Sequence, residues 1–296
     1  MIIDNIVIRK EPSMIYLLFN PKANNSKGEQ DAREWAKAHN VDAEFISLLD
    51  IQDMKRYLDG LKEDDEVILT GGDGTVNWFA NDVYGYEFKN KVYYAKCGSG
   101  NDFWRDNEAR AKNDRIDLGP LLKNLPLITV NGVQRRFLNG IGYGLDGETC
   151  RVGDIQRATS DKPVNYSSIA IKLLLGGYKL NKATVTVDGV TEKYENVWLA
   201  STMKGRFYGG GLMVAPDQDR LNEDGLVTSV TIYKKSRLIT LMRFPSLNKG
   251  EHVLKKDWVT VKTGKKVTVS FEEPCALQID GDVIENVLTY TVETGV

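Results

Sequence analysis

Histidine and cysteine are scarce in this sequence of 296 residues. The two histidines, His39 and His252, give little basis for a His-dependent catalytic triad or a His-rich metal site. The three cysteines cannot all pair, and no C-x-x-C motif occurs, so neither a disulfide framework nor a zinc ribbon is indicated. A reducing, cytoplasmic setting is the simplest expectation.

Long apolar runs and a strong net charge are also absent. No stretch of 18 consecutive apolar residues occurs, so we expect no transmembrane helix, and the first residues do not resemble a signal peptide. The 39 basic and 41 acidic side chains leave a net charge of -2, which argues against a globally basic nucleic-acid-binding protein. The chain is 42% hydrophobic, and its length favours two domains.

The first 120 or so residues alternate between strand-like and helix-like segments. Residues 13–19 form a continuous apolar run, which is typical of a strand buried on both faces of a parallel sheet. Further strands are predicted at 43–49, 66–70 and 92–95, with helices at 28–40, near 51–60, after Gly74 and from about Asp102. This alternation predicts an open α/β domain with a mostly parallel sheet, which we assign to residues 1–122.

The second half has the pattern of an antiparallel β domain. Asn131-Gly132 and Asp188-Gly189 each separate two strand-like runs, as in hairpins with two-residue turns. We assign residues 123–296 to this sandwich-like domain, with only two helices, near 166–178 and 236–248, and with a last strand that could return to the first domain.

A glycine-rich loop, Gly71-Gly72-Asp73-Gly74, lies between a buried strand and a predicted helix. Glycine lets a ligand approach the backbone closely, and the N–H groups of a new helix favour phosphates. A carboxylate at Asp73 would repel phosphate, so a bridging divalent cation is implied. The loop matches neither G-x-x-x-x-G-K-[ST] nor G-x-G-x-x-G. The alternative is a structural turn.

A second loop, Gly98-Ser99-Gly100, follows the strand at 92–95, and Asn101 or Asp102 could cap the next helix. Taken alone, it fits a capped helix as well as a ligand loop. Two such loops at the carboxyl ends of strands in one sheet indicate a binding edge, however, and Asn20-Pro21 would lie on the same edge.

Six motifs, taken in order, resemble the catalytic domain of diacylglycerol kinases, the bacterial lipid kinase family to which sphingosine kinases are related. They are Asn20-Pro21, GGDGTVN (71–77), GSGNDF (98–103), GGGLMVAP (209–216), EDGL (223–226) and IDGD (279–282). The resemblance covers essentially the whole chain. GGDGT is shared with NAD kinases, whereas the later motifs are specific to lipid kinases.

The resemblance implies an ATP- and Mg²⁺-dependent enzyme with nucleotide in a cleft between the two domains. The implied ATP-binding residues are Asn20, Pro21, Lys22, Ala23, Asn24, Ser47, Gly71, Gly72, Asp73, Gly74, Thr75, Val76, Asn77 and Ser99. The usual N-P-x-[ST]-G motif here reads Asn20-Pro21-Lys22-Ala23-Asn24 and lacks Ser-Gly, and Ser99 replaces the commoner threonine.

The resemblance also implies a magnesium site and a general base. The magnesium ligands would be the Asp224 carboxylate and the carbonyls of Leu221 and Leu226; the alternative is a plain turn. The base of the family's D-G-E motif corresponds to Asp282, which is one methylene shorter than glutamate. Asp73 is the reserve candidate, because relatives of the sphingosine kinase type assign the base role to that aspartate.

Residues 234–266 hold ten basic and two acidic side chains, a local charge of +8 that leaves about -10 for the rest. Apolar residues run along a predicted helix in the same stretch, which suits peripheral contact with an anionic membrane. The alternative is an amphipathic helix packed on its own domain.

The sequence therefore predicts a lipid kinase that phosphorylates a lipid alcohol, with diacylglycerol as the default acceptor. A sphingoid base or phosphatidylglycerol remains open as acceptor, and a homodimer is possible. The alternative enzymatic function is that of an NAD kinase. The alternative from another class is a nucleotide- or lipid-binding relative without catalytic activity. No nucleic-acid partner is expected.

Overall fold

A computed structural model describes residues 13–97, 101–160 and 164–296. The first sheet has the strand order β2-β1-β3-β4-β5. Every neighbouring pair is parallel except β4 and β5. The strands are β1 (Ile15–Phe19), β2 (Glu44–Ser47), β3 (Glu66–Gly71), β4 (Lys91–Lys96) and β5 (Ile116–Asp117). This is the mostly parallel α/β sheet that the sequence predicted.

Both faces of the first sheet are covered, which explains the unbroken apolar run in β1. Leu17 and Leu18 are both fully buried, yet they belong to different hydrophobic clusters because neighbouring strand residues point to opposite faces. The covering helices are α1 (Ala23–Ser26), α2 (Gly28–Ala38), α3 (Met54–Asp59), α4 (Asp73–Asp82), α5 (Asp102–Asn107) and α6 (Gly119–Leu122).

The second sheet contains nine strands, all in antiparallel pairs. Its main path runs β14-β13-β10-β8-β15-β16-β6-β7, and β9 pairs with both β10 and β15. The strands are β6 (Leu127–Val130), β7 (Val133–Arg136), β8 (Gly140–Tyr143), β9 (Asn181–Val187), β10 (Val190–Met203), β13 (Val227–Tyr233), β14 (Val259–Gly264), β15 (Lys266–Ile279) and β16 (Asp282–Glu293), with a separate pair β11 (Phe207–Tyr208) and β12 (Leu212–Met213). The predicted antiparallel, sandwich-like second unit is confirmed.

Both predicted hairpins form at the expected turns. Asn131 and Gly132 have φ values of 47° and 77°, and Asp188 and Gly189 have 47° and 84°. Positive φ at both central residues is what a type I′ turn requires, and asparagine, aspartate and glycine tolerate it best. The Asn-Gly and Asp-Gly turns connect the antiparallel pairs β6–β7 and β9–β10, as the sequence predicted.

The expectation of only two helices in the second half is wrong. A third and longer one, α7 (Leu145–Thr159), follows β8, in addition to α8 (Tyr166–Lys172) and α9 (Arg237–Arg243). Its buried positions include Gly147, Thr149 and Gly153. Gly147 lies so close to β15 that an added Cβ would sit 2.2 Å from the Ala276 carbonyl oxygen. Because small residues occupy the packing positions of α7, its sequence has no clear apolar periodicity, and the helix was not predicted.

The helices near 166–178 and 236–248 are present but change character toward their ends. A π-helical turn, Leu173–Gly177, continues α8, and 3₁₀ turns at Phe244–Lys249 and Glu251–Leu254 follow α9. Pro245 lies in the first turn after α9, where its missing N–H ends the regular helix.

The last strand stays in the second sheet, where β16 pairs with β15 and β6. Beyond β16, the Val296 carbonyl contacts the first domain by accepting a hydrogen bond from the Tyr84 hydroxyl at 3.3 Å. The division at residues 122 and 123 stays a prediction, and it lies between β5 of the first sheet and β6 of the second.

Candidate active site

The loop between β3 and α4 brings a helix N-terminus to the edge of the first sheet. An added Cβ at Gly71 would lie 2.6 Å from the Thr75 Oγ1 atom, so a side chain cannot be placed there without displacing the helix. The Gly72 carbonyl accepts the N–H groups of Thr75 and Val76 at 3.0 and 3.2 Å. The earlier N–H groups of this ten-residue helix are left for a ligand, and an anion is the ligand they favour.

Asp73 is partly buried at the start of α4, and its carboxylate bonds to the start of α5. Its Oδ2 and Oδ1 atoms accept the backbone N–H groups of Asp102 and Phe103 at 2.8 and 3.1 Å. Burial, together with the nearby Asp102 carboxylate, raises the pKa of Asp73 from 3.8 to about 7. A carboxyl group with that pKa can accept a proton near neutral pH.

Asp280 joins the two sheets from the opposite side of the same region. Its Oδ1 accepts the N–H groups of Asn139 and Gly140 at 2.8 and 3.0 Å, and its Oδ2 accepts the Leu138 N–H and the Asn77 side-chain amide, both at 2.5 Å. Burial raises the pKa of Asp280. With four donors around it, this carboxylate positions α4 against the second sheet.

Asp102 connects α5 to the triple-glycine loop. Its Oδ2 accepts the Gly210 N–H at 2.8 Å, and Arg105 lies 3.5 Å from its Oδ1. Gly209, Gly210 and Gly211 all have positive φ values, between 62° and 115°. Burial raises the pKa of Asp102. The GSGNDF and GGG motifs are thus brought together by one hydrogen bond.

Asp146, in the first turn of α7, was not among the sequence candidates. Its Oδ2 accepts the Gln278 side-chain amide at 2.9 Å, and burial raises its pKa from 3.8 to about 6. The signal was present, because Gly144-Leu145-Asp146-Gly147 follows a strand and opens a helix just as Gly71-Gly72-Asp73-Gly74 does.

These four aspartates line one cavity of about 770 Å³ between the two sheets. One part of its wall is polar and is formed by the glycine loop and the β1–α1 turn. Another part is largely apolar and is formed by α7, α8 and the segment after α9, although Thr149, Arg157, Ser167 and Asn248 also line it. The apolar wall residues are Leu145, Val164, Tyr166, Ala170, Leu199, Tyr208, Leu212, Phe244 and Leu247.

Seven of the predicted ATP-binding residues line this cavity: Asn20, Ala23, Asn24, Gly72, Asp73, Gly74 and Thr75. Asn24 has φ 48° and ψ 53°, a left-handed conformation that favours glycine and that asparagine tolerates well. This explains how the chain lacks the glycine of N-P-x-[ST]-G without losing the turn.

The other predicted ATP-binding residues lie outside the cavity wall. Gly71 and Val76 flank the loop, and Asn77 bonds Asp280. The Ser47 hydroxyl accepts the Leu49 N–H at 3.2 Å and caps a 3₁₀ turn. The remaining two, Pro21 and Lys22, belong to the β1–α1 turn, whereas Ser99 lies outside the described residues.

Asp282, the first candidate for the base, is not brought to the cavity. Its side chain is 73% exposed, and its Oδ2 lies 2.8 Å from Arg135 Nη1. The neighbouring Gly281 and Asp280 do line the cavity. Asp280 and Gly281, with φ values of 49° and 98°, form the turn between β15 and β16, so the strand alternation that would place residues 280 and 282 on the same face does not apply.

The predicted magnesium loop is closed by an amide side chain. Asn222 Nδ2 donates to the carbonyls of Asp219 and Leu226 at 2.6 and 3.0 Å, and its Oδ1 accepts the Leu226 N–H at 2.5 Å. Gln218 Nε2 donates to the same Leu226 carbonyl at 3.0 Å. Both lone pairs of that oxygen are therefore engaged.

Consequently the loop does not fit a magnesium ion held by Leu221, Asp224 and Leu226. The Asp224 side chain is exposed, and a metal on the Leu226 carbonyl would have to displace one of two amide donors. No step of the reaction is assigned to a metal at this position.

Another aspartate, Asp106 of α5, is buried and is paired with two arginines. Arg206 Nε and Arg220 Nε lie 2.7 and 3.0 Å from its two oxygens, and the side chains of Asp106 and Arg220 are only 4% and 1% exposed. Arg220 also donates to the Leu138 carbonyl and to the Asn139 side chain. This cluster, which we call the Asp106 latch, ties α5 to the second sheet.

Two absences apply to residues 13–97, 101–160 and 164–296. Within those ranges, no three His, Cys, Asp or Glu side chains converge on one metal position. No helix there is both long enough and apolar enough to cross a bilayer.

Comparison with known proteins matches both halves of the chain. The diacylglycerol kinase catalytic domain matches residues 14–121, and the YegS C-terminal NAD kinase beta sandwich-like domain matches residues 139–293. A diacylglycerol kinase of Mycobacterium tuberculosis (strain CDC 1551 / Oshkosh) is 27% identical over 293 residues, covering 93% of this chain and 90% of that protein.

Solved structures agree on the fold. A crystal structure of a diacylglycerol kinase from Bacillus anthracis str. Sterne superposes with a TM-score of 0.61 at 18% identity, covering 97% of this chain and 95% of that one. The chain therefore belongs to the lipid kinase family defined by the diacylglycerol kinase catalytic domain followed by the YegS-type β-sandwich domain.

Proposed function

We propose that this lipid kinase transfers the γ-phosphate of ATP to the hydroxyl of diacylglycerol, giving phosphatidic acid. The observation that carries the proposal is the single cavity whose wall is a phosphate-type glycine loop on one side and apolar on another. A nucleotide needs the first surface, and acyl chains need the second. The carboxylates between them supply proton transfer.

The phosphates of ATP would lie against Gly72, Gly74 and Thr75, where the α4 N-terminus leaves N–H donors free. The β1–α1 turn, with Asn20 and Asn24 on the cavity wall, would hold the rest of the nucleotide. Both surfaces belong to the first domain, so the nucleotide would be bound by the α/β unit.

Asp73 is the general base in this proposal, ahead of Asp282, because only Asp73 lines the cavity. It takes the proton of the lipid hydroxyl, whose oxygen then bonds to the γ-phosphorus while the bond from that phosphorus to the bridging oxygen breaks and ADP leaves. A pKa of about 7 suits that proton transfer. Asp146, beside the apolar wall, would hold the acceptor hydroxyl.

Four carboxylates in one cavity also require positive charge when ATP binds. Magnesium would supply it by neutralising phosphate oxygens. Since no three acidic side chains of the described residues converge on one point, the protein would supply one or two ligands, for which Asp102 and Asp146 are candidates, and the phosphates of ATP would complete the set.

A sphingoid base is the second candidate acceptor. The carboxylates that line the cavity would attract its ammonium group. Diacylglycerol has a neutral headgroup and would gain no such attraction. NAD kinase activity is disfavoured because a second, highly polar nucleotide would have to lie against the apolar wall.

Radiolabelled ATP, offered with diacylglycerol, sphingosine, phosphatidylglycerol and NAD, tests the proposal. We expect labelled phosphatidic acid as the main product. Labelled sphingosine phosphate would move the assignment to the second candidate. Labelled NADP would contradict lipid kinase activity, and no product from any acceptor would favour a relative that has lost catalysis.

A further inference from the structure

Two neighbouring helices leave large apolar side chains in solvent beside the cavity. Helix α8 and the π-helical turn that continues it, residues 166–177, are called the α8 segment, and on it Ile171 and Leu175 are 43% and 62% exposed. On α9, Leu238 and Met242 are 66% and 65% exposed. Each pair is four residues apart and so lies on one side of its helix. We call these four residues the apolar face.

The two helices that carry this face are in contact with each other. Arg237 of α9 donates from Nη1 to the Leu174 carbonyl at 3.1 Å and from Nη2 to the Tyr178 carbonyl at 2.6 Å. These bonds fix the start of α9 against the end of the α8 segment. The two pairs of exposed side chains are therefore held in one rigid region.

The apolar face borders the apolar part of the cavity. Ala170 of α8, and Phe244 and Leu247 directly after α9, line the cavity from the same two elements. A lipid that leaves a bilayer at this face would therefore meet two elements that also form the cavity wall. Exposed apolar patches on soluble domains commonly mark interaction surfaces.

The charges around the face are predominantly positive. Residues 237–256 contain five basic side chains and one acid. Arg243 and Lys235 share one acidic partner, Asp257, at 2.9 and 2.8 Å. Four other lysines near the two helices have no acidic partner among the described residues: Lys172, Lys249, Lys255 and Lys256.

From these observations we infer that the apolar face, with its unpaired lysines, docks on the surface of an anionic lipid bilayer. Apolar side chains would enter the interface while the lysines meet lipid phosphates. The inference rests on the proposed function. Within the basic stretch at 234–266 it involves Lys249, Lys255 and Lys256, whereas Lys262 and Lys266 are paired with Glu192 and Glu293.

Binding of the full chain to vesicles tests this inference. We expect wild type to bind vesicles of phosphatidylcholine mixed with phosphatidylglycerol and to bind pure phosphatidylcholine poorly. The variant Leu238→Ser/Met242→Ser should bind the mixed vesicles about tenfold to a hundredfold more weakly. Lys255→Gln/Lys256→Gln should lose about tenfold, and that loss should disappear at high salt.

The matched control is Leu49→Ser/Val190→Ser, since those two side chains are similarly exposed, at 58% and 60%, but lie elsewhere on the surface. Unchanged vesicle binding in Leu238→Ser/Met242→Ser, or an equal loss in this control, would overturn the inference. So would a wild-type dimer that Leu238→Ser/Met242→Ser converts to monomer while vesicle binding persists, because the face would then serve a second copy of the chain.

Phosphorylation of a short-chain diacylglycerol dissolved as monomers separates docking from catalysis. Leu238→Ser/Met242→Ser should retain wild-type turnover in that assay, because neither residue lines the cavity. If wild type phosphorylates no lipid but the variant still loses vesicle binding, the apolar face is supported as the docking surface, whereas the proposed reaction is contradicted.

Discussion

Asp73, which is partly buried, and Asp106, which is fully buried, both lie where the two sheets meet, but their surroundings differ. Asp106 contacts two guanidinium groups within 3.0 Å. The Asp73 oxygens accept only backbone N–H groups, and other carboxylates line the same cavity. One carboxylate is therefore neutralised within the protein, whereas the other depends on a proton or an external cation.

This difference separates structural from chemical roles. A buried ion pair is costly to break, because removing one partner leaves an unpaired charge. A buried carboxylate without a counter-ion costs free energy in the folded state, and its pKa rises as a result. We interpret the Asp106 latch as a structural contact between the two domains. We interpret the cavity that Asp73 lines as the site where the charge of the substrates is compensated.

The largest expected effect concerns catalysis. Asp73→Asn should lower turnover about a thousandfold, because the amide cannot take the proton of the acceptor hydroxyl. ATP binding, measured by calorimetry, should stay within about tenfold of wild type. Asp282→Ala is the control and should keep most of its activity, since the exposed Asp282 is paired with Arg135. The opposite ranking of the two variants would return the base role to Asp282.

Breaking the Asp106 latch should mainly reduce stability. Arg220→Met removes a buried partner of Asp106, and we expect a loss of about 3–5 kcal/mol in the free energy of unfolding by urea. Arg206→Met should cost about 1 kcal/mol or less, because its side chain is 36% exposed and solvent screens the pair. Equal losses would show that burial does not distinguish the two arginines.

The pH dependence of stability should reveal the uncompensated carboxylate. Because the pKa of Asp73 is raised from 3.8 to about 7, the folded protein keeps a proton that the unfolded chain releases between these values. The bound proton of Asp73 therefore contributes fully to the free energy of unfolding below about pH 4. That contribution falls as the pH rises toward 7 and then levels off, and the total change is at most about 4 kcal/mol. Asp73→Asn should lose less stability than wild type between pH 5 and pH 8. Parallel curves for the two proteins would contradict the charge assignment.

A smaller effect is expected at the loop closed by Asn222. Asn222→Ala removes three hydrogen bonds and should cost about 1–2 kcal/mol in thermal or urea unfolding. Because the amide closes this loop, EDTA should leave the melting temperature of wild type unchanged. A clear drop with EDTA, restored by magnesium, would show that Leu221, Asp224 and Leu226 hold a metal after all.

Much of the fold could be predicted because local signals and global structure agree. The apolar run of β1 and the Asn-Gly and Asp-Gly turns follow from rules that depend on neighbouring residues only. Helix α7 was missed because Gly147 and Gly153 provide close packing against β15 and Tyr166, and such packing depends on residues distant in sequence.

The candidate site was only partly predictable for a related reason. The glycine loop at 71–74 and the turn at Asn20 are contiguous motifs, and both line the cavity. Whether Asp280 or Asp282 enters the cavity depends on which of the two carboxylates accepts hydrogen bonds from the backbone at 138–140. The spacing of the sequence does not contain that information. The same holds for Asn222, whose contacts depend on the shape of its loop.

The most direct test of the account is a crystal structure of the chain with a non-hydrolysable ATP analogue, magnesium and a short-chain diacylglycerol. We expect phosphates against Gly72, Gly74 and Thr75, acyl chains between α7 and the segment after α9, and the lipid hydroxyl within hydrogen-bond distance of Asp73. Nucleotide bound outside this cavity, or a lipid hydroxyl that contacts Asp282 instead, would contradict it.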